Sequence, residues 1–290
     1  VFKNNFVNAS GQNGSTLAYF SHVDTILNNT FSHYNATVVE LEEDRHSNVN
    51  NPYPTFFANN YITAYGNGTT KALYIDNILD PGSVIAHNSI NQLGTGNAIG
   101  LYFEQSADDI TVKNNIISSA GGGIPLQVDG PLTNIDWDYN CYHTTGNVFA
   151  SYDGSTYNDV NSLGVAMSSD ANSIEENPYY VSDEDLRVGQ ALLNGAATFV
   201  GVYTDIENQV RNVSAPDIGA QEFTIDFGIL DLLQPSLECF HTANEAIEVR
   251  IVQYGDAAMA ERQIAYQVNN GPITTETISG TYISDIDYTF

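Results

Sequence analysis

The chain has 290 residues, and its 35 Asp and Glu residues outnumber its 8 Lys and Arg residues, giving a formal net charge of −27. This acidity disfavours nucleic acid and anionic lipid surfaces as partners, and it disfavours a polyanionic glycan unless a cation bridges the two. The sequence contains no long apolar run, so we expect no membrane insertion.

Six short segments share one pattern, in which an Asn has an apolar residue three places before it and another two places after it. The aligned residues are Asn5, Asn29, Asn60, Asn88, Asn115 and Asn140. Successive members are 24, 31, 28, 27 and 25 residues apart, and a period of this size is typical of stacked repeats. We predict that each unit is a short strand, a tight bend at the Asn and another short strand. Stacked units then join each apolar column into a continuous core.

The Asn column suits a stacked bend for a physical reason. An Asn side chain carries two donors and an acceptor, so it can bond both the bend and its counterpart in the next coil. Asn also tolerates the left-handed conformation that such a bend requires. On these repeats, residues 1–223 resemble the right-handed parallel β-helix proteins of the pectate-lyase-like superfold. The resemblance implies the fold and its handedness. It does not imply a chemistry, since this fold hosts lyases, hydrolases, adhesins and phage tailspikes.

A second strand column lies between the Asn bends, and a long loop interrupts it. The expected strands are LAYF at 17–20, VVEL at 38–41, ALYIDNI at 72–78, IGLYF at 99–103 and IPLQV at 124–128. Residues 42–55 are rich in Asn and Pro and are predicted to form a loop. Binding sites often lie on loops that project from a rigid scaffold, so this loop is a candidate site.

The Asn pattern ends near residue 143, and a cap is expected over about 156–223. Residues 156–178 resemble the closing segment of many β-helix proteins, in which a short helix and a loop precede a turn, and PDIGAQEF at 216–223 resembles the terminal strand of those proteins. The resemblance implies a short helix within 156–178 and a terminal strand at 216–223 that closes the last coil. Because Val1 falls inside a repeat, we expect the β-helix to be N-terminally incomplete.

Residues 224–290 have a different pattern, with alternating apolar residues in AIEVRIV at 246–252 and RQIAYQV at 262–268. NNGP at 269–272 predicts a hairpin turn, with further strands on either side of it. This stretch resembles an immunoglobulin-like β-sandwich of the CARDB type found in large bacterial surface proteins. A full sandwich has about 100 residues, so we expect this one to be truncated.

The loop at 42–55 holds the candidate cluster for polysaccharide lyase chemistry, which needs a basic side chain beside carboxylate-bound Ca²⁺. Arg45 is the candidate catalytic base, and its neighbours Glu42, Glu43, Asp44 and His46 are candidate binding residues. The alternative is an ordinary charged loop.

Glycoside hydrolysis needs two carboxylates across the scissile bond, and the pair at Asp108 and Asp109 has the right chemistry. The pair directly precedes a predicted strand, so a turn is the alternative interpretation. The Gly-His-Gly and Arg-x-Lys elements of the polygalacturonases, which share this fold, are absent.

Two further pairs of acids are candidate ligands. Asp136 and Asp138 flank Trp137 and should share the outer face of one strand, where they would bind a cation or a sugar or simply be solvated. Asp183 and Asp185 are candidate Ca²⁺ ligands, although they fit no EF-hand spacing. We expect no resident cofactor, and Ca²⁺ is the ion that these hypotheses require.

These observations favour a non-catalytic part of a large secreted or surface-anchored bacterial protein, acting as an adhesin, a stalk or a glycan-binding scaffold. The first alternative is a carbohydrate-active enzyme, above all a Ca²⁺-dependent polysaccharide lyase. The second is cargo of a type IX-like outer-membrane secretion system. Expected partners are a glycan or cell-surface ligand, further domains of the same polypeptide and that secretion machinery. An enzyme should gather Lys or Arg with acids in one groove, whereas a scaffold should scatter them.

Overall fold

A computed structural model describes residues 1–9, 15–21, 23–42, 54–76, 79–224, 227–235, 246–253, 255, 262–279 and 286–290. The chain divides into two compact units. The first contains Val1–Pro178, Ser182–Leu186 and Leu192–Glu222, and the second contains Tyr179–Val181, Arg187–Ala191 and Phe223–Phe290.

The first unit is built almost entirely from short strands. In chain order they are β1 (Phe2–Lys3), β2 (Phe6–Ala9), β3 (Ala18–Ser21), β4 (Thr25–Leu27), β5 (Thr30–Tyr34), β6 (Thr37–Glu42), β7 (Phe56–Ala58), β8 (Tyr61–Tyr65), β9 (Lys71–Ile75), β10 (Val84–Ala86), β11 (Ser89–Gln92), β12 (Ile99–Phe103), β13 (Ala107–Asp108), β14 (Thr111–Lys113), β15 (Ile116–Ser119), β16 (Ile124–Val128), β17 (Leu132–Thr133), β18 (Asp136–Asp138), β19 (Cys141–Thr144), β20 (Ala150–Tyr152), β21 (Ser155–Tyr157) and β22 (Ile174–Glu175). The helices are α1 (Val160–Met167) and a short 3₁₀ turn at Ala191–Leu193.

Three sheets run along this unit, and each coil of the chain adds a strand to each sheet. Sheet A has the order β1-β4-β7-β10-β14-β18, and sheet B has the order β2-β5-β8-β11-β15-β19-β22. Sheet C has the order β3-β6-β9-β12-β16-β20-β21, in which only the β20–β21 pair is antiparallel. Strands one coil apart pair in parallel, so the unit is a parallel β-solenoid of about 5 turns, as the repeats predict.

The apolar columns stack in the predicted register. Ile26, Phe57, Ile85 and Val112 occupy one column of sheet A, and the pairs between them are formed in the structure. All four side chains are buried in the core. The repeat pattern therefore predicts both the sheet register and the interior of the solenoid.

The predicted Asn ladder is present between sheets A and B. The side-chain amide and the backbone N–H of Asn60 both donate to Oδ1 of Asn88 at 3.0 Å, and Asn88 bonds Asn115 in the same way. At the last coil, Ser173 replaces the next Asn, because its Oγ accepts from the backbone N–H of Asn140 at 2.8 Å. The ladder thus satisfies the buried backbone of every bend it crosses.

The left-handed conformation lies one residue earlier than predicted. The residues with positive φ are those just before each ladder Asn: Asn4, Asn28, Asn59, His87, Asn114 and Tyr139. His87 is a bend residue whose Nδ1 lies 3.3 Å from the carbonyl oxygen of Gly219 and whose Nε2 lies 2.9 Å from Nδ2 of Asn114. The ladder Asn itself is free of this strain and turns its side chain along the solenoid axis.

The predicted short helix closes the last coil. Asp159 caps α1 by accepting from the backbone N–H of Ser162 at 2.7 Å, and Leu163 of this helix is fully buried in the solenoid core. Without such a cover the final coil would expose apolar side chains.

The predicted terminal strand at 216–223 is wrong, because those residues form no strand. Residues 192–222 instead cross the bend column on the outside of the solenoid. The backbone N–H of Gly219 donates to the carbonyl of Asn114 at 2.8 Å, and Nδ2 of Asn59 donates to the carbonyl of Thr204 at 2.5 Å. The bend residues carry polar groups that the hydrogen bonds of the sheets do not use, and residues 192–222 bond to these groups instead of forming a strand.

A buried arginine fixes this crossing segment. The Arg211 side chain is fully buried, and it donates to the carbonyls of Asp217 and Gly219, to Oδ1 of Asn59 and to the carboxylate of Glu222. Burial lowers the pKa of Arg211, and the carboxylate of Glu222 is the largest influence that opposes this.

The second unit contains β23 (Phe227–Gln234), β24 (Glu248–Gln253), β25 (Arg262–Gln267), β26 (Ile273–Ile278) and β27 (Ile286–Thr289). One antiparallel sheet has the order β23-β24-β27, and β25 and β26 form a hairpin through the predicted turn. Val249, Ile251, Ile264 and Ile278 form its small core. This arrangement fits a partial immunoglobulin-like sandwich.

No helix in the described ranges combines the length and the apolar character needed to cross a membrane.

Candidate functional site

The predicted lyase cluster lies mostly outside the described residues. Glu43, Asp44, Arg45 and His46 are not among them, whereas Glu42 is the last residue of β6 in sheet C.

The two acids beside Trp137 share the outer face of sheet A, as predicted, while Trp137 points into the core. Both are engaged by the protein's own groups. Asp136 lies 2.5 Å from Nζ of Lys113, and Asp138 accepts two hydrogen bonds from Asn172 at 2.7 Å. These contacts engage one carboxylate oxygen of Asp136 and both of Asp138.

Asp183 and Asp185 lie on a loop that covers part of the outer face of sheet B. The carbonyl oxygen of Asp183 accepts from Oγ1 of Thr63 at 3.3 Å and from Nδ2 of Asn91 at 3.4 Å. In the part of the chain that the structure describes, no three His, Cys, Asp or Glu side chains are arranged to hold a metal ion.

The acid pair at the start of one coil is split by a turn. Asp108 ends β13 and accepts a hydrogen bond from Nδ2 of Asn134 at 3.3 Å, whereas Asp109 is exposed with φ of 55°.

The structure brings together a site that the sequence analysis missed, on the outward face of sheet C. Leu41, Ile75, Phe103, Val128 and Tyr152 are register partners in five successive coils. The residue after each of them is acidic. These acids, called the acid column from here on, are Glu42, Asp76, Glu104, Asp129 and Asp153. Parallel strands in register thus place five acidic residues in a row, with neighbouring backbones about 4.8 Å apart.

Two stacked tyrosines connect this column to the sheet. The rings of Tyr74 and Tyr102 have centroids 5.3 Å apart and planes 14° apart, and each residue is only 8% exposed. The Tyr74 hydroxyl lies 2.6 Å from Oδ1 of Asp76 and 2.5 Å from Oε2 of Glu104. The Tyr102 hydroxyl donates to Asp129 at 2.6 Å. Each tyrosine therefore orients carboxylates at the edge of the face.

The Tyr74 hydroxyl contacts two carboxyl groups, and this limits which hydrogen bonds the three groups can form at one time. A phenol has one hydrogen and can donate it to one acceptor at a time. Asp76 and Glu104 therefore compete for one donor, unless one of the two carboxyl groups carries a proton. The hydrogen bond from Tyr74 holds the pKa of Asp76 below its usual value, and burial raises the pKa of Tyr74.

A lysine completes this face. Nζ of Lys71 lies 3.3 Å from the ring centroid of Tyr74 and 4.5 Å from that of Tyr102, within the range of cation–π contacts. Burial lowers the pKa of Lys71, and the nearby carboxylates of Glu104 and Asp76 oppose this effect.

An open groove of about 360 Å³ runs beside Lys71 and crosses three coils. Its lining residues are Thr69, Lys71, Asn97, Ile99, Tyr102, Ile124 and Gln127. The lining combines hydroxyl, amide and ammonium groups with aliphatic surface, so it can hold an uncharged polar ligand over several coils.

Comparisons of the chain with protein-family models, with curated proteins and with solved structures found no match.

Proposed function

We propose that this chain binds a glycan along the outward face of sheet C, as part of a larger secreted or cell-surface bacterial protein. The observation that carries the proposal is the presence of Lys71 and Tyr102 in one groove, with Tyr74 stacked on Tyr102 and with Asp129 of the acid column bonded to the Tyr102 hydroxyl. A scaffold with no ligand on this face has no reason to concentrate a scarce lysine and two aromatic residues there, since only 8 of 290 residues are Lys or Arg.

The groove suits a linear polymer because its groups repeat along the solenoid axis. Each coil presents the same strand about 4.8 Å further along, so a ligand in the groove meets equivalent polar positions at regular intervals. The ligand is a neutral or amino-sugar glycan, because the acid column repels uronates and sulfates. The roles of adhesin, stalk or secretion cargo, and the extracellular location, belong to this proposal as its context.

A second candidate function is glycoside hydrolysis, favoured by the pair of Asp76 and Glu104. Retaining and inverting glycosidases both use two carboxyl groups, one as an acid and the other as a nucleophile or base. Adjacent coils place these two side chains close together, within 2.6 Å and 2.5 Å of the same Tyr74 hydroxyl. The Ca²⁺-dependent lyase stays the alternative that rests on Arg45, and its uronate substrate would need a bridging cation at this acidic face.

The test of binding is a neutral and amino-sugar glycan array followed by calorimetry on the full chain. Lys71→Ala should weaken binding at least about tenfold, through loss of an ammonium contact and of the support for the tyrosine stack. Lys113→Ala is the matched control, because it removes a lysine on sheet A and should leave binding unchanged. Equal affinity in both variants would overturn the placement on sheet C.

The enzymatic candidates have separate measurements. Release of reducing ends that is lost in Glu104→Gln and in Asp76→Asn supports hydrolysis, and no release from any bound glycan rejects it. Unsaturated product that forms with Ca²⁺, disappears with EDTA and is lost in Arg45→Ala would support the lyase instead.

A further inference from the structure

The outer face of sheet B carries a second feature that the sheet C site does not use. Asn8, Ser32, Thr63 and Asn91 are register partners in four successive coils and form one polar column. Residues 182–185, called the strap from here on, cross this column at its third and fourth coils. Thr63 and Asn91 are each only 3% exposed there, and both donate to the carbonyl of Asp183.

The strap leaves a groove of about 440 Å³ beside the first coils. The groove is lined by Phe6, Asn8, Thr30, Ser32, Tyr61, Thr63, Ser182, Glu184 and Asp185. Its volume falls inside the range of roughly 300–1,000 Å³ that small-molecule sites occupy. The polar column thus continues from a part that the strap covers into a part that is open to a ligand.

The lining indicates what that ligand is. The floor offers hydroxyl and amide groups, which both donate and accept hydrogen bonds, and the strap offers carboxylates, which accept from hydroxyl groups. Phe6 is 73% exposed and presents an apolar ring beside these polar groups. A saccharide matches this combination, because it has hydroxyl groups at its rim and C–H groups on its ring faces.

Two other ligand classes fit less well. The lining residues include two acids and no Lys, Arg or His, so an anionic glycan would be repelled. The groove lies on the face of sheet B, whereas an added peptide strand would pair along the edge of the sheet, which is β2.

We infer that the groove between the strap and the first coils of sheet B is a second carbohydrate site, which binds a short neutral oligosaccharide. The site is independent of sheet C, since the residues that line the two grooves are all different. A chain with two such sites holds a polysaccharide at two faces, which raises its avidity without any new contact.

The test is calorimetry on the full chain with cellotetraose, xylotetraose, mannotetraose and tetra-N-acetylchitotetraose, with tetragalacturonate as the anionic probe. We expect at least one neutral probe to bind, with affinity falling about tenfold in Phe6→Ala. Tyr203→Ala is the matched control, because Tyr203 is also an exposed aromatic residue but lies in the crossing segment at residues 192–222 and in neither sheet. Binding in that control should equal wild type, and circular dichroism should show that both variants fold.

A charge reversal provides a second, independent measurement. Glu184→Lys should create binding of tetragalacturonate that the wild-type chain lacks, because the exposed strap position then offers an ammonium group to the uronate. The inference is overturned if no neutral probe binds wild type, if Phe6→Ala and Tyr203→Ala behave alike, or if wild type binds tetragalacturonate as well as the neutral probes. Loss of binding in Lys71→Ala alone would place the saccharide on sheet C, so the two proposals fail separately.

Discussion

Replacing Asp170 with Asn tests how the end of the Asn ladder depends on pH. Asp170 is 4% exposed. Its Oδ2 accepts from the hydroxyl of Tyr142 at 2.8 Å, and its Oδ1 accepts from the hydroxyl of Ser173. Tyr142 in turn accepts from Nε1 of Trp137 at 2.8 Å. Trp137 is the only tryptophan in the chain, so its fluorescence reports on this network directly.

The sign and size of the effect follow from the pKa. Burial is the largest influence and raises the pKa of Asp170 from 3.8 to about 6, against the hydrogen bonds from Ser173 and Tyr142. Below about pH 4 both the folded and the unfolded chain are protonated here, and the contribution to stability is fully present. Between about pH 4 and about pH 6 only the unfolded chain ionises, so stability is lost as pH rises. At about 1.4 kcal/mol for each pH unit, the loss is about 3 kcal/mol.

The assay is urea unfolding of wild type and Asp170→Asn from about pH 4 to about pH 8, followed by tryptophan fluorescence. Asn cannot titrate, so the stability of wild type relative to the variant should fall by about 3 kcal/mol across this range. Asp109→Asn, at an exposed left-handed turn that Asn tolerates equally, serves as the control and should follow wild type. Curves for Asp170→Asn and wild type that stay parallel within about 0.5 kcal/mol would refute the reasoning.

Three further predictions concern the ladder, the crossing segment and the sheet C face. Asn88→Ala should lower the free energy of unfolding in urea by about 3 kcal/mol, because it leaves several buried groups unpaired. Asn5→Ala, at the exposed end of the ladder, should lower it by less than about 1 kcal/mol. Equal losses in the two variants would contradict a cooperative ladder. Arg211→Lys should lower the free energy of unfolding by about 3 kcal/mol and speed proteolysis within residues 192–222, since an ammonium cannot replace the forked guanidinium. An unchanged rate of proteolysis would show that another residue holds this segment in place. Tyr74→Phe should raise the pKa of Asp76 in an NMR titration of carboxyl carbons, and a lower pKa would be the opposite of what the Tyr74 hydrogen bond implies.

Much of the solenoid could be predicted because every repeat has the same local sequence pattern. An apolar residue three places before the Asn and another two places after it determine which side chains point inward, and the period determines the stacking. The left-handed residue lies one position before the predicted one, since Asn is favoured both in the ladder and in the left-handed position before it. In FKNNFV, FANNYI and VKNNII the two asparagines are adjacent, so composition alone cannot assign the roles. IAHNSI and WDYNCY separate them, because only the second position stays Asn.

The crossing segment could not be predicted in this way, because it does not repeat. Its contacts join residues far apart in sequence, such as Arg211 with Asn59, and they depend on polar groups that the bends present outside the sheets. The expectation of a terminal strand followed from the need to cover the last coil, but α1 meets that need. A segment that is not required as a cap can cross the bends instead, and the buried hydrogen bonds that it forms there stabilise it.

The acid column shows why a functional site on a solenoid is found by comparing equivalent positions in successive coils and not neighbouring positions in the sequence. In sequence its members lie 24 to 34 residues apart, each at the end of an apolar strand, where an acid is an ordinary strand terminator. Their common feature appears only when the second strand column is aligned as strictly as the Asn column. Each of the five acids then directly follows a residue of one register that packs on the core. The same alignment puts Tyr74 beside Tyr102 and leaves Lys71 above both. Mutations at this face should therefore act in pairs one coil apart, so double-mutant cycles between Tyr74 and Glu104 should show coupling, while Tyr74 and Asp153, three coils apart, should be additive.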